Sequence, residues 1–347
     1  MERSVSYSTT RRCLLKGAGS ALIGFGATSV LKTVGVAAGA ETLSMQLQLD
    51  WLMSNQFLGD VAAKRLGYFE EEGLDVTISP GGPQFNGIPA VASEQALIGN
   101  VSSSPHIMLA RAGGVPITCV AAGFQRHPFA YFSLPRNPIR TPAEMRGKRI
   151  GTPQVSVILL RALLKANGIQ ENELDIVPMG SEPGPLLTGQ VDAMTFWETD
   201  PIVKPLGPDA IILRLWDAGI RLYASPYYVS DSTLRRQPDR VAAFVRAVSR
   251  GWAYAKQNPE KAVDLYVAEY PSADRASELE QVGLLLSYVF NDETKTAGWG
   301  AMQREIWADQ LDMYEQLGQF TNRKAPTVDE MMTLSILDAT QADRPKL

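Results

Sequence analysis

The sequence predicts an α/β protein of two units, each a mainly parallel sheet flanked by helices. Three observations carry this. Strand-like and helix-like segments alternate from Met45 to about Val229, and such alternation builds parallel sheets with helices on both faces. The 347 residues, 45% of them hydrophobic, suffice for two units of about 100–200 residues each. After Gln237 the pattern turns helical, with Val241, Phe244, Val245 and Val248 at helical spacing and Trp252 extending that face. No internal repeat, heptad or low-complexity tract is present, so any kinship between the units lies in topology.

Composition excludes several classes of function. The net charge is −4, and nucleic-acid binding would call for a basic patch. Two cysteines, Cys13 and Cys119, and two histidines, His106 and His127, give no zinc-type spacing and no His-rich metal site. No metal or other cofactor is expected. Gly-x-Ser-x-Gly does not occur and no Ser/His/Asp set stands out, which leaves a hydrolase unsupported.

The N-terminus reads as an address. Thr10-Arg11-Arg12-Cys13-Leu14-Leu15-Lys16 is similar to the twin-arginine export signal, with Cys13 where that pattern usually has Phe. A weakly apolar, Gly/Ala-rich stretch follows and reaches the small-x-small pattern Ala38-Gly39-Ala40 before Glu41. The other reading is a disordered or anchoring N-terminal helix. Residues 1–40 are thus expected to be a signal peptide and the protein to be periplasmic. Losing that segment removes five basic residues and one acid and takes the net charge from −4 to −8. It also removes Cys13, so no intramolecular disulfide is possible in the mature chain.

The stretch from Met45 to Ile78 reads as strand, loop, helix, turn, strand. Met45, Leu47, Leu49 and Trp51 alternate with Gln46, Gln48 and Asp50, the period of a strand. Polar Ser54-Asn55-Gln56 opens a helix that Gly67 ends, and Leu74, Val76 and Ile78 begin the next strand. The aromatic after the first strand, followed by Gly67-Tyr68-Phe69-Glu70-Glu71-Glu72-Gly73-Leu74-Asp75-Val76, resembles the opening of periplasmic substrate-binding proteins of ABC importers. Within that group it is similar to the NMT1/THI5-like branch, which binds nitrate, sulfonates, taurine and thiamine pyrimidine precursors. The resemblance covers roughly residues 45–271. It implies a two-lobed periplasmic binding protein fold, type II-like, with the ligand in the interlobe cleft and a membrane permease as partner. It includes a eukaryotic pyrimidine synthase that uses a histidine and a cysteine-rich iron site; with one cysteine in the mature chain, that activity is not expected here.

The remaining elements follow in order. Ser79-Pro80-Gly81-Gly82-Pro83-Gln84 is a tight loop, either a plain turn or a ligand contact through Gln84 or the Gly82 amide. Ala96–Val101 is a short buried strand, and Ser102-Ser103-Ser104-Pro105 then opens a helix. Ser104 reads as its cap and His106 as structural, while Ser102 or Ser103 could also donate to a ligand. Strands follow at 117–122 and 129–134, with the first crossing between lobes near the second. Thr141, Pro142 and Glu144 form a capping box before Gly147-Lys148-Arg149-Ile150-Gly151, a pattern that matches the family's entry to its second domain. The strand 149–152 ends at Pro153 and a helix runs 155–167. Pro185-Leu186-Leu187-Thr188-Gly189-Gln190-Val191-Asp192-Ala193 resembles the family's Leu-x-x-Gly-x-Val-Asp-Ala. Trp197, Glu198 and Asp200 then stand at the carboxyl end of a strand, where open α/β sheets bind ligands. The segment 223–229 returns toward the first lobe. Helices are expected at 259–266, 273–290 and 302–317.

These readings assign residues 41–130 and 229–340 to the first lobe and 131–228 to the second. The first-lobe ligand candidates are Trp51, Asn55, Phe57, Gln84 and Ser102. The second-lobe candidates are Pro153, Trp197, Glu198 and Asp200, with Tyr223 and Tyr228 at the return. Trp51 and Trp197 could sandwich a flat ring, and Glu198 could accept two hydrogen bonds from an aminopyrimidine. Trp197 could equally be packing and Asp200 a helix cap. A buried carboxylate repels nitrate or a sulfonate, so a neutral or cationic aromatic heterocycle is expected before a small anion. The expected assembly is a monomer that closes by a hinge motion, carries out no chemical step and hands its ligand to an ABC permease.

Overall fold

The computed structural model describes residues 43–82, 85–320 and 323–347; the segment read as an export signal and Gln84 lie outside them. Ten strands form two five-stranded sheets. The first contains β1 (Leu43–Leu49), β2 (Leu74–Ser79), β3 (Ile98–Asn100), β4 (Ile117–Phe124) and β10 (Ala224–Ser230). The second contains β5 (Phe129–Ser133), β6 (Arg149–Thr152), β7 (Asp175–Pro178), β8 (Ala193–Trp197) and β9 (Ile211–Arg214).

The orders are β2-β1-β3-β10-β4 and β7-β6-β8-β5-β9. β1 runs parallel to β2 and β3, and β10 runs antiparallel to β3 and β4. β6 runs parallel to β7 and β8, and β5 runs antiparallel to β8 and β9. Each sheet is therefore four co-directional strands with one reversed, and the reversed strand is in both cases one that follows a crossing. The two lobes share one topology without a shared sequence. The chain crosses between Phe124 and Phe129 and returns between Arg214 and Ala224. All of β10, Tyr228 included, lies in the first sheet, and all of β5 lies in the second, a few residues from the expected boundaries.

Local sequence explains the elements. β1 alternates until Leu47 and Leu49 are fully buried. Gly67 takes φ +75° after the Leu58–Arg65 helix, the left-handed conformation that stops a helix without a Cβ penalty. Glu144 accepts the Thr141 N–H at 3.0 Å, as the capping box requires, although the element it starts is a short 3-10 turn, Pro142–Met145. β5 divides two cores by its period of two. Phe129 and Tyr131 face the main core, while Ala130, Phe132 and Leu134 face a smaller one with Phe196 and Leu206. The helices Pro238–Gln257, Pro259–Glu269, Arg275–Val289 and Arg304–Gln316 follow β10, and the first packs closely on Leu58–Arg65 at facing glycines, Gly59 and Gly251.

Candidate functional site

A cavity of about 900 Å³ opens between the sheets, within the usual range for small-molecule sites. Its walls come from the segments that leave the carboxyl ends of the co-directional strands: 50–56 after β1, Gly82 and 85–88 after β2, 101–106 after β3, 153–159 after β6, 180–182 after β7 and 199–202 after β8. Parallel strands end together, so six loops converge on one crevice. The crossing supplies His127 and Phe129, and the C-terminal helices supply Tyr266, Tyr270, Asp274 and Glu278.

Among the sequence-derived candidates, Trp51, Asn55, Ser102, Pro153, Trp197 and Asp200 line this cavity. Trp197 is held edge-on by His127 (centroids 5.4 Å apart, 67°) and tilted on Phe124 (5.7 Å, 57°). Asn55 ties three elements together. Its Nδ2 donates to the Thr199 carbonyl at 2.8 Å and to Glu278 Oε2 at 3.0 Å. Asp200 is both wall and cap, since its Oδ1 accepts the Ile202 N–H at 2.9 Å. Ser102 is committed to Asp50, giving its backbone N–H at 2.8 Å and its hydroxyl at 3.0 Å to Oδ2.

Four expected candidates lie outside the lining of this cavity. Phe57 is fully buried in the core. Tyr223 is buried over Trp307 and its hydroxyl accepts the Gln303 N–H at 2.9 Å. Tyr228 is buried with its ring where a Cβ on Gly99 would stand, because the two residues pair across β3 and β10. Glu198, expected to meet the ligand, does not line the cavity. Arg214 Nε and Nη2 donate to its two oxygens at 2.6 and 2.5 Å, and the Tyr288 hydroxyl donates at 2.6 Å. β9 lies beside β5 in the sheet, which brings Arg214 to the end of β8.

Residues outside that candidate set complete the walls or back them. Asp50 stands directly before Trp51, and burial holds its carboxyl above the ordinary value, against the opposing pull of His106 and Ser102. Ser104, expected to cap its helix, instead donates to Gln310 Oε1 at 2.5 Å; Ser103 takes the N-cap position, with its hydroxyl 2.5 Å from His127 Nε2. His127 Nδ1 accepts the Phe129 N–H at 3.2 Å. That nitrogen therefore carries no proton, and burial lowers the ring's pKa to about 3. His127 is neutral, protonated on Nε2, and donates to Ser103. The pair resembles a nucleophile and its base, yet the tautomer points the wrong way for proton abstraction. It leaves the Ser103 hydroxyl hydrogen free to donate elsewhere.

The electrostatics of the cavity are one-sided. Asp50, Glu182, Asp200, Asp274 and Glu278 line it, and no Lys or Arg is among the described residues that do. Burial pushes Glu278 up to about 7, opposed by Asn55 and reinforced by Asp200 and Asp274. Burial raises Asp200 as well, with Glu182 adding to the shift.

The chain is 27% identical to a formylaminopyrimidine-binding protein of Halalkalibacterium halodurans, over 85% of this chain and 91% of that one. It is 26% identical to the riboflavin-binding protein RibY of Chloroflexus aurantiacus, over 75% and 77%. The alkanesulfonate-binding protein SsuA from Xanthomonas axonopodis pv. citri, bound to MOPS, superposes with a TM-score of 0.64 at 16% identity, covering 85% of this chain and 99% of that one. It shares the two-lobed periplasmic binding protein fold. The NMT1/THI5-like family profile matches residues 54–262, more than half of the sequence, and the chain belongs to that family.

Proposed function

We propose that this chain is the extracytoplasmic solute-binding component of an ABC import system and that its ligand is a neutral or cationic aromatic heterocycle, with thiamine pyrimidine precursors the first candidates. The observation that carries the ligand class is the cavity lining, which among the described residues holds five carboxylates and no Lys or Arg. A sulfonate or nitrate would meet like charge there, whereas amino groups would find acceptors. Trp51, Trp197, Phe85 and Phe129 give the walls flat apolar faces on which a ring can stack. The riboflavin-binding and formylaminopyrimidine-binding relatives are named for flat nitrogen heterocycles, which supports the same class.

Binding proceeds by hinge closure at the crossings, and the closed form docks on a membrane permease. Leu52 and Phe85 from the first lobe and Val155 from the second are 51%, 47% and 50% exposed at the cavity. Closing the lobes would bury these apolar lips, each contributing on the order of 1 kcal/mol. No chemical step is part of this reading. The protein acts as a monomer in the periplasm, reached by the twin-arginine route with cleavage after Ala40.

A thermal-shift screen tests the reading, with thiamine, its pyrimidine precursors, riboflavin, taurine, alkanesulfonates, nitrate and bicarbonate. A ligand at about 100 times its Kd adds roughly 2.7 kcal/mol of stability. Stabilisation by a heterocycle is the expected result. Stabilisation by a sulfonate or nitrate alone would overturn the ligand class.

A further inference from the structure

The end of the cavity beside the C-terminal helices holds buried polar groups that the fold leaves half-used. Glu278 lies on the apolar stripe of the Arg275–Val289 helix, in register with Val282, Leu285 and Val289, and is only 7% exposed. Its Oε2 accepts from Asn55, while its Oε1 has no partner among the described residues. Asp200 uses Oδ1 as a cap and leaves Oδ2 in the same condition. Tyr266, 3% exposed, lines this end too. Its hydroxyl has no hydrogen-bond partner among the described residues, although the charges of Glu278 and Asp200 both act on it. Tyr270 lies against it, centroids 5.5 Å apart at 42°.

Two carboxylates whose charges act on each other, each with an oxygen that no described residue engages, favour a cation that joins them. Among the described residues the chain supplies none. Lys204, the cation on the adjoining segment, is turned outward to Glu280 at 3.0 Å and Ser277 at 3.4 Å. Asp274 is occupied as a helix cap, accepting the Ser277 N–H at 2.9 Å. The tyrosine faces add the aromatic surface that organic cations favour. We infer that Asp200, Glu278, Tyr266 and Tyr270 form a subsite for a positively charged nitrogen on the ligand, a primary ammonium or a cationic heterocycle. The inference rests on the cavity being the ligand site; it does not require a pyrimidine.

Matched probes separate the two. 4-Amino-5-aminomethyl-2-methylpyrimidine and 4-amino-5-hydroxymethyl-2-methylpyrimidine differ by an ammonium against a hydroxyl. Benzylamine and benzyl alcohol differ likewise without a pyrimidine. Titration of the protein should give at least a tenfold preference for the amine within a pair. Glu278→Gln should reduce that preference, read as the ratio of amine to alcohol affinity within each pair, about tenfold or more. Gln keeps the acceptor for Asn55, so the variant retains its local bond; Asp200→Asn, which keeps the acceptor for Ile202, should act the same way. Equal binding of amine and alcohol in both pairs, or a preference that survives both variants, would overturn the subsite. Loss of both pyrimidines with a retained, Glu278-dependent preference for benzylamine would overturn the pyrimidine reading and uphold the subsite.

Discussion

Replacing Glu198 with Gln should cost stability and leave ligand affinity unchanged. The carboxylate is almost wholly buried, with a side-chain exposure of 6%, against 39% for its partner Arg214. A glutamine side chain here would keep one acceptor oxygen but turn an NH₂ donor toward the guanidinium or toward the Tyr288 hydroxyl, both of which donate to the carboxylate. Breaking a fully buried pair costs about 3–5 kcal/mol. Solvent reaches Arg214, so the expected loss is reduced to roughly 1–3 kcal/mol. For a chain of this size that lowers Tm by roughly 2–6 °C. The assay pairs a thermal melt with calorimetric titration of 4-amino-5-hydroxymethyl-2-methylpyrimidine. The expected result is a lower Tm with Kd within about threefold of the parent. A Kd raised tenfold with Tm unchanged would refute the reasoning and return Glu198 to the ligand.

Two further outcomes follow from buried groups outside the cavity. Asp60 is fully buried, accepts the Tyr227 hydroxyl at 2.8 Å, and has its carboxyl pushed up to about 7 by burial. Its folded pKa exceeds its unfolded value, so its stabilising contribution is complete below about pH 4 and is lost as pH rises toward 7, by about 1.4 kcal/mol per unit. Tm measured from pH 4 to pH 8 should fall less steeply for Asp60→Asn than for the parent; identical profiles would contradict this. Gly251→Ala should destabilise by about 1–3 kcal/mol, because its Cβ would collide with the Gly59 carbonyl and come within 2.8 Å of Ala63. An unhindered helical site would instead gain about 1 kcal/mol from this change, so the sign of the shift in a thermal melt decides the matter.

The strands and their loops were legible because both are local. Alternation through Leu47 and Leu49 marked β1, and polar, aromatic or proline residues at or just past a strand end pointed to Trp51, Asn55, Ser102, Pro153, Trp197 and Asp200. Long-range pairing was not legible. Nothing near Glu198 in sequence signals Arg214, which arrives because β9 lies beside β5. Tyr228 and Phe57 look like site aromatics until the tertiary packing buries them. Glu278, Tyr266 and Tyr270 were passed over because aromatics at helical spacing ordinarily mean core. A carboxylate in register with Val282, Leu285 and Val289 was the signal that could have found the site's far end.

The proposed ligand class requires a cleft that selects against anions and for nitrogen heterocycles. Calorimetric titration of the same protein with 4-amino-5-hydroxymethyl-2-methylpyrimidine and with an alkanesulfonate tests it most directly. The expected result is saturable one-to-one binding of the pyrimidine and no heat from the sulfonate at the same concentrations. Saturable binding of the sulfonate, with none of the pyrimidine, would contradict it.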